Sequence, residues 1–271
     1  MLDTAPIAMQ RSRGQAEVAL SSAGRVTRLY QQGCAKAFLP RCHGPEPEVV
    51  FLNTAGGVTG GDRLDYRIDV APGLRATATT QTAERAYRAS AGSAPGEIAV
   101  TARVGAGGVL HWLPQETILF DGAAIDRRTE IALEGDAACL LCETLVLGRA
   151  AMGEAVGELW LADRRRVTRD GRPVLLEPLE LTSARIAARC GGAGLDGARV
   201  LAFVALVAAD APDALGPVRR ALGDGPGAAA TAWDGRLIVR MMGADAQSVR
   251  QRVARVLTTL RGRALPRVWQ V

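Results

Sequence analysis

Apolar and polar residues alternate with a period of two over much of the chain. The segment 64–70 places an apolar residue at every second position with charged residues between them, and 98–104 repeats the alternation. Short apolar runs bounded by glycine, proline or aspartate follow at 109–113, 117–120, 137–147 and 200–208. The alternating segments predict half-buried strands, and the continuous runs predict strands that are buried on both faces.

Tight turns and helices are marked by other patterns. The dipeptides at 170–171 and 234–235 are both Asp-Gly, and each stands between two short strand-like segments, which predicts two-residue hairpin turns. At 246–260 the apolar residues recur at intervals of three and four, with arginines between them, which predicts an amphipathic helix. A shorter helix is predicted at 217–222, where a proline occupies the first turn.

These patterns predict a mostly β fold, a β-rich body with about two α-helices near the C-terminus. No fixed-period repeat or low-complexity linker divides the sequence, so we expect 1–271 to form a single domain. The character of the sequence changes near 191–197, and we expect 198–271 to be an α+β part of the same body. We expect 1–12 to be loose, as chain ends often are.

The composition is that of an ordinary globular protein. Of the 271 residues, 48% are apolar and 23% are charged, and the net charge is +5. No apolar run reaches the roughly 18 residues of a membrane span, and the N-terminal region holds no signal-peptide hydrophobic segment. We therefore expect a cytoplasmic protein with reduced thiols. Its arginines are spread out and few aromatics accompany them, so neither a nucleic-acid nor a membrane partner is expected.

The most unusual segment is 53–62, which reads NTAGGVTGGD. Its glycines have the spacing of a phosphate-binding loop, but Asp62 and Arg63 stand where that loop needs Lys and then Ser or Thr. The residues that follow have the period of a strand, whereas a phosphate-binding loop leads into a helix. We therefore interpret these glycines as turn residues that adopt positive φ or pack closely against other backbone.

Three acidic residues stand alone in apolar surroundings. Glu143 lies inside the run 137–147, Glu177 lies between Leu176 and Pro178, and Glu116 lies between two apolar segments. A buried carboxylate needs an arginine, hydrogen-bond donors or water, because burial without a partner costs several kcal/mol. Two interpretations stay open. The acids pair with arginines in the core, or they line a wet polar channel whose hard oxygen ligands suit the passage of a divalent cation.

Four segments, taken in order, resemble the signature motifs of the urease accessory protein D family, also called the H family. They are NTAGGVTGGDRL at 53–64, TQTAERAYR at 80–88, LPQETILFDGA at 113–123 and GRAAMGE at 148–154. The resemblance is good over about residues 25 to 180 and holds in outline over the C-terminal third. It implies a β-rich body with helix-like coiling of strands and two α-helices.

The resemblance implies a scaffold in urease maturation, not an enzyme. Such proteins bind apo-urease and recruit the F accessory protein, which holds the nickel-carrying GTPase G. An internal polar tunnel is the nickel route that the resemblance implies, with no tightly bound cofactor and only nickel in transit. We expect Asp62 and Glu84, which lie in family motifs, and Glu143 and Glu177, which lie in apolar surroundings, to line it. Whether two copies of the chain form a homodimer within the complex is left open.

Two other functions stay open from the residues alone. A β-rich hydrolase could use Glu116 and Asp121, if the two carboxyl groups stood roughly 5 to 9.5 Å apart in an open cleft. A metal-storing chaperone could use Cys42 and His43, which lie in a proline-flanked loop, together with other thiols, if at least three N or S ligands converged in space.

The remaining cysteines give weaker signals. Cys139 and Cys142 have the spacing of metal ligands, but on a strand their thiols would point to opposite faces. We therefore expect them to be small buried residues. The stretch 33–41 is less typical of the family's N-terminal segment, which leaves the role of Cys34 open.

Overall fold

The structure, a computed structural model, describes residues 10–41, 46–188 and 194–270. Most of the segment expected to be loose, together with Cys42 and His43, lies outside these ranges. The described residues form seventeen β-strands, three α-helices and three short 3-10 helices. The prediction of a mostly β fold with helices toward the C-terminus is therefore confirmed.

The strands follow one another along most of the chain. Their bounds are β1 (Arg13–Leu20), β2 (Val26–Gly33), β3 (Ala35–Phe38), β4 (Glu48–Asn53), β5 (Arg63–Val70), β6 (Arg75–Thr80), β7 (Glu84–Ala86), β8 (Gly96–Val104), β9 (Val109–Leu113), β10 (Thr117–Leu119), β11 (Ala123–Leu133), β12 (Ala138–Leu147), β13 (Leu159–Arg169), β14 (Arg172–Thr182), β15 (Val200–Val207), β16 (Ala228–Trp233) and β17 (Arg236–Gly243). The helices are α1 (Ser183–Ala187), α2 (Leu215–Leu222) and α3 (Ala246–Arg261). The 3-10 helices are Ala150–Met152, Ala211–Ala214 and Arg267–Trp269.

The chain coils by alternating between two sheets. One sheet has the strand order β14-β13-β11-β8-β5-β1-β2, and the other has the order β16-β17-β15-β12-β9-β6-β4-β3. From β5 to β13 the successive long strands fall in the two sheets by turns, so that neighbours within each sheet run parallel. The short strands β7 and β10 pair with each other, and β10 also pairs with β12. The helix-like coiling of strands that the resemblance implies is present.

The two kinds of apolar pattern correspond to two kinds of burial. In β5 the apolar residues of 64–70 are buried against the opposite sheet, and the charged residues between them are more exposed. In β12 both faces are buried, because a second core formed with α2 and α3 covers the outer face of its sheet. Cys139 belongs to the core between the sheets and Cys142 to this second core, so their thiols point to opposite faces as predicted. Burial raises the pKa of both thiols to about 12.

Both Asp-Gly dipeptides form the predicted hairpin turns. Asp170 and Asp234 have φ angles of 49° and 42°, and each is followed by a glycine that also has positive φ. The first turn joins β13 to β14 and the second joins β16 to β17, and both pairs of strands are antiparallel. The local sequence therefore sets the register of these two hairpins.

Both predicted helices form, and a third was not predicted. The helix α3 begins after Asp245, whose carboxylate accepts a hydrogen bond of 2.7 Å from the backbone N–H of Ser248. The helix α2 begins two residues before the predicted start at Pro217. The helix α1 has only five residues and follows Thr182, whose hydroxyl caps it. A helix this short cannot show a helical period in the sequence.

Candidate functional site

Three cavities follow one another, and each shares a glutamate with the next. The first cavity, of about 40 Å³, lies between the end of β4 and β7, where Tyr66, Thr80 and Glu84 line it. The middle cavity, also about 40 Å³, lies between the two sheets and shares those three residues with the first. The large cavity, about 470 Å³, shares Glu143 with the middle cavity and is also lined by Glu177. Three of the four predicted acids therefore line one row of cavities.

Glu84 stands at the junction of the first two cavities and is held by neutral donors. Its carboxylate accepts hydrogen bonds of 3.3 and 3.4 Å from the Asn53 amide and of 3.1 Å from the backbone N–H of Arg85. Burial raises the pKa of Glu84 to about 7, because desolvation disfavours the charged form. A carboxyl group that titrates near neutral pH can give up its proton when it binds a divalent cation.

Glu143 belongs to a cluster of four charged side chains between the sheets, the buried quartet of Arg127, Glu143, Asp163 and Arg165. Each of these residues exposes no more than 4% of its surface. The Nη1 atom of Arg127 lies 2.9 Å from Glu143, and its Nε and Nη2 atoms lie 3.0 and 2.6 Å from Asp163. Arg165 also forms an ion pair with Asp163. Two positive and two negative groups thus balance one another inside the protein.

Glu143 fits both interpretations of the isolated acids, pairing with an arginine and lining of a channel. One carboxylate oxygen is paired with Arg127, and the other accepts hydrogen bonds of 3.1 Å from the Thr129 hydroxyl and 3.3 Å from the Trp112 indole N–H. The carboxylate is therefore stabilised as an ion in the core, as the arginine-pairing interpretation requires. It also lines two cavities, as the channel interpretation requires.

The two arginines of the quartet stabilise the ionised form of Asp163. Burial alone would raise the pKa of this carboxyl, but Arg127 and Arg165 keep it below its usual value. Asp163 lies directly opposite Arg127 in the parallel register of β11 and β13. The same pairing places Thr129 opposite Arg165. The register of these two strands therefore brings Arg127, Asp163 and Arg165 together, and Glu143 reaches them from β12 in the opposite sheet.

Glu177 lies at the far end of the row, where the large cavity approaches the protein surface. Its carboxylate pairs with the exposed Arg240 at 3.3 and 2.5 Å. The guanidinium groups of Arg165 and Arg240 both lie over the ring of Phe203, at 5.0 and 5.6 Å from its centroid. Aliphatic side chains such as Leu145 form much of the remaining lining.

Asp62 is not among the residues that line these three cavities. One of its oxygens accepts a hydrogen bond of 2.7 Å from the backbone N–H of Ser12, and the other accepts one of 2.9 Å from that of Thr59. This buried carboxylate therefore joins the segment before β1 to the glycine-rich loop. Its contacts are those of an anchor between two backbone segments.

The glycine-rich loop has the two features that its glycines suggested. Gly56 and Gly61 have φ angles of +79° and +82°. At Gly57 the reason is space, since an added Cβ would lie 2.7 Å from the carbonyl oxygen of Arg85 and closer still to the ring of Tyr87. The loop leads into β5, so the interpretation as turn and close-packing residues is confirmed.

The two carboxylates of the hydrolase alternative are occupied by other contacts. Glu116 pairs with Arg250 at 2.8 Å. Asp121 accepts hydrogen bonds of 2.9 Å from the backbone N–H groups of Glu158 and Gly157 and pairs with Arg88, and these contacts lower its pKa. Neither residue lines the three cavities. A general acid needs a raised pKa, so this arrangement does not support the hydrolase.

The described residues contain neither a cluster of metal ligands nor a helix that could span a membrane. No group of three or more His, Cys, Asp or Glu side chains is arranged to hold a metal ion in ranges 10–41, 46–188 and 194–270. The candidate ligands Cys42 and His43 lie outside these ranges. None of the described helices is long and apolar enough to cross a membrane. His111 is buried and neutral, because desolvation lowers its pKa to about 3.

Sequence reasoning missed three members of the buried quartet, Arg127, Asp163 and Arg165. A signal for them exists in the alternation of their strands. In β11 the buried residues occupy every second position from Ala123 to Leu133, and Arg127 occupies one of these positions. In β13 the same alternation places Asp163 and Arg165 in the core. A charged residue at an inward position of a strand predicts a buried partner.

Comparison with known proteins agrees with the motifs. The family model of the UreD urease accessory protein matches residues 12–270. A urease accessory protein UreD of Cereibacter sphaeroides is 58% identical over 267 residues, which cover 97% of this chain and 96% of the relative. UreD proteins of Paracoccus denitrificans and Rhizobium leguminosarum bv. viciae are 52% and 41% identical, over 98% and 97% of this chain and 95% and 96% of their own lengths. The chain therefore belongs to the UreD family of urease accessory proteins, which are maturation factors rather than enzymes.

Proposed function

We propose that this protein acts in the cytoplasm as a scaffold that binds apo-urease and the F accessory protein, with the GTPase G, and passes nickel to the urease active site. The observation that carries the proposal is the row of three cavities in which Glu84 and Glu143 line the junctions and Glu177 lines the far end. Carboxylate oxygens at successive points offer hard ligands to a divalent cation along its path.

The chemistry of the row favours transit over storage. Storage needs several ligands that converge on one ion, and the described residues contain no such group. Instead, the acids are spread along the cavities, and Glu143 and Glu177 each pair with an arginine. A cation that passes must compete with these arginines, which weakens its binding at Glu143 and at Glu177.

Asp62 differs from the three acids that line the cavities. Because it anchors the glycine-rich loop to the segment before β1, we assign it to the support of the first cavity and not to its lining. The loop contributes Gly56 to that cavity. A change at Asp62 is therefore expected to act through folding.

The scaffold role is tested by capture from the native host. The tagged chain is purified from cells that also contain F, G and apo-urease, and the proteins that accompany it are identified. Capture of both F and apo-urease supports the scaffold. A folded chain that captures neither would contradict it, and a second copy of the chain in the captured complex would establish the homodimer.

A further inference from the structure

A cation that moves from the middle cavity to the large cavity must pass Glu143. This residue lines both cavities and is the one residue that their linings have in common. Arg127 lines the middle cavity and Arg165 lines the large cavity. Each of the two cavities that share this carboxylate is therefore lined by one guanidinium group of the quartet.

Arg127 already occupies the position that a cation would take at Glu143. Its Nη1 atom lies 2.9 Å from the Glu143 carboxylate and also donates a 2.9 Å hydrogen bond to the hydroxyl of Thr117. Its other two nitrogens hold Asp163. Because like charges repel strongly in a buried site, this guanidinium weakens the binding of a divalent cation to the same carboxylate.

The surroundings of Arg127 would suit a metal ion if the guanidinium were removed. The carboxylates of Glu143 and Asp163 and the hydroxyls of Thr117 and Thr129 all lie within the contacts of the quartet. These are oxygen ligands, the type that hard and borderline divalent cations accept. The guanidinium of Arg127 is therefore a permanent positive charge among carboxylate and hydroxyl oxygens that could otherwise bind a cation.

We propose that Arg127 competes with the metal cargo for the Glu143 carboxylate, and thereby keeps this point of the passage from storing the metal. The proposal rests on the proposed function, because it takes a divalent cation as the cargo. Arg127 then determines whether the junction releases or retains the ion. Its role is to promote release of the cation, whereas the acids attract it.

Direct measurement of Ni²⁺ binding to the purified full chain tests this proposal without urease. Equilibrium dialysis compares the unaltered chain with Arg127→Met and with Arg127→Met/Glu143→Gln. We expect Arg127→Met to bind one Ni²⁺ per chain more tightly than the unaltered chain does, because a competing positive charge is gone. The dissociation constant should be lower than that of the unaltered chain by about tenfold or more. We expect the double variant to lose this site. Binding by Arg127→Met equal to that of the unaltered chain would overturn the proposal.

The neighbouring Arg128 provides a matched control. It lies on the same strand, its side chain is 60% exposed, and it pairs with Asp126 at 3.2 Å. Arg128→Met therefore removes the same charge from the protein without opening the quartet, and we expect unchanged Ni²⁺ binding. If Arg128→Met gains the same site as Arg127→Met, net charge explains the effect and the proposal is wrong.

A second variant serves if Arg127→Met does not fold. Arg127→Gln also removes the positive charge, but its side-chain amide keeps two N–H donors that satisfy part of the quartet. We expect this variant to bind Ni²⁺ more tightly than the unaltered chain, and equal binding would overturn the proposal. Failure of the proposed function is seen separately, as unchanged urease activation in the Glu84 and Glu177 variants, and does not alter these binding results.

Discussion

Arg127 and Asp163 face each other across two parallel strands and form a two-point ion pair, with nitrogen–oxygen distances of 3.0 and 2.6 Å. Both side chains are almost completely buried. Their pairing is balanced by Glu143 and Arg165, so the interior of the protein contains no net charge at this point. The stability of the fold therefore depends on each member of the quartet having its partners.

The substitution Asp163→Asn tests this dependence. It removes one negative charge and leaves Arg127 and Arg165 with Glu143 alone, so we expect a loss of about 3 to 5 kcal/mol in the free energy of unfolding. Asp126 is the matched control, because it also pairs with two arginines, Arg128 and Arg164, but at the surface. We expect Asp126→Asn to cost less than about 1 kcal/mol. Denaturant unfolding measures both, and equal losses would contradict the account.

Glu84 gives a prediction about pH. Its pKa is raised from 4.5 to about 7 in the folded protein, so the folded chain binds a proton that the unfolded chain has released. Stability therefore falls as the pH rises from about 4.5 to 7, and the cost is fully present above pH 7. The neutral variant Glu84→Gln avoids this cost, so we expect it to be more stable by about 3 kcal/mol at pH 8 and nearly unchanged at pH 4.5.

Unfolding experiments at several pH values check this prediction. The control is Glu97→Gln, since the Glu97 side chain is 56% exposed and its only ion pair is a surface contact of 3.6 Å with Arg63 in the described structure. We expect no comparable pH dependence for the control. A stability difference for Glu84→Gln that does not grow between pH 4.5 and 7 would show that burial does not raise the pKa of Glu84.

Asp62 is predicted to act through stability. Asp62→Ala removes the acceptors of two backbone N–H groups, those of Ser12 and Thr59, and we expect a loss of about 1 to 3 kcal/mol. At a temperature where the variant remains folded, urease activation per folded molecule should be unchanged. Strong loss of activation by a fully folded Asp62→Ala protein would return Asp62 to the nickel route.

Glu177 is predicted to act through the cation path and not through stability. It lies near the surface and pairs with the exposed Arg240, so Glu177→Gln should change the free energy of unfolding by less than about 1 kcal/mol. We expect urease activation to fall, because the large cavity loses one of its two acids. Glu180→Gln, an exposed change on the same strand, is the control. Equal activation by the two variants would remove Glu177 from the path.

The alternation of residues predicted much of the fold, because each strand and hairpin has a local pattern. The positions of Glu143 and Glu177 as isolated acids could be predicted for the same reason. Their partners could not be predicted with them. Arg127 meets Asp163 only because β11 and β13 are neighbours in one sheet, although β12, which lies between them in sequence, belongs to the other. Alternation shows which face a residue occupies, but it does not show which strand lies beside it.

The role of Asp62 could not be predicted from the sequence, although its place in a motif was clear. The family motif drew attention to it, yet the motif could not distinguish a residue that lines a cavity from one that holds the loop beside it. That difference depends on the backbone N–H groups of Ser12 and Thr59, and Ser12 is 50 residues away in sequence. Glu84 lies in another family motif and does line the cavities.

The central claim is that nickel passes the acids of this row of cavities, and the nickel content of matured urease tests it most directly. Urease is purified from cells in which Glu84→Gln or Glu97→Gln replaces the unaltered chain, and capture of apo-urease is measured in the same cells. The account predicts that Glu84→Gln folds, captures urease normally and yields urease with several-fold less nickel, whereas Glu97→Gln yields the normal content. A normal nickel content with Glu84→Gln would contradict the account.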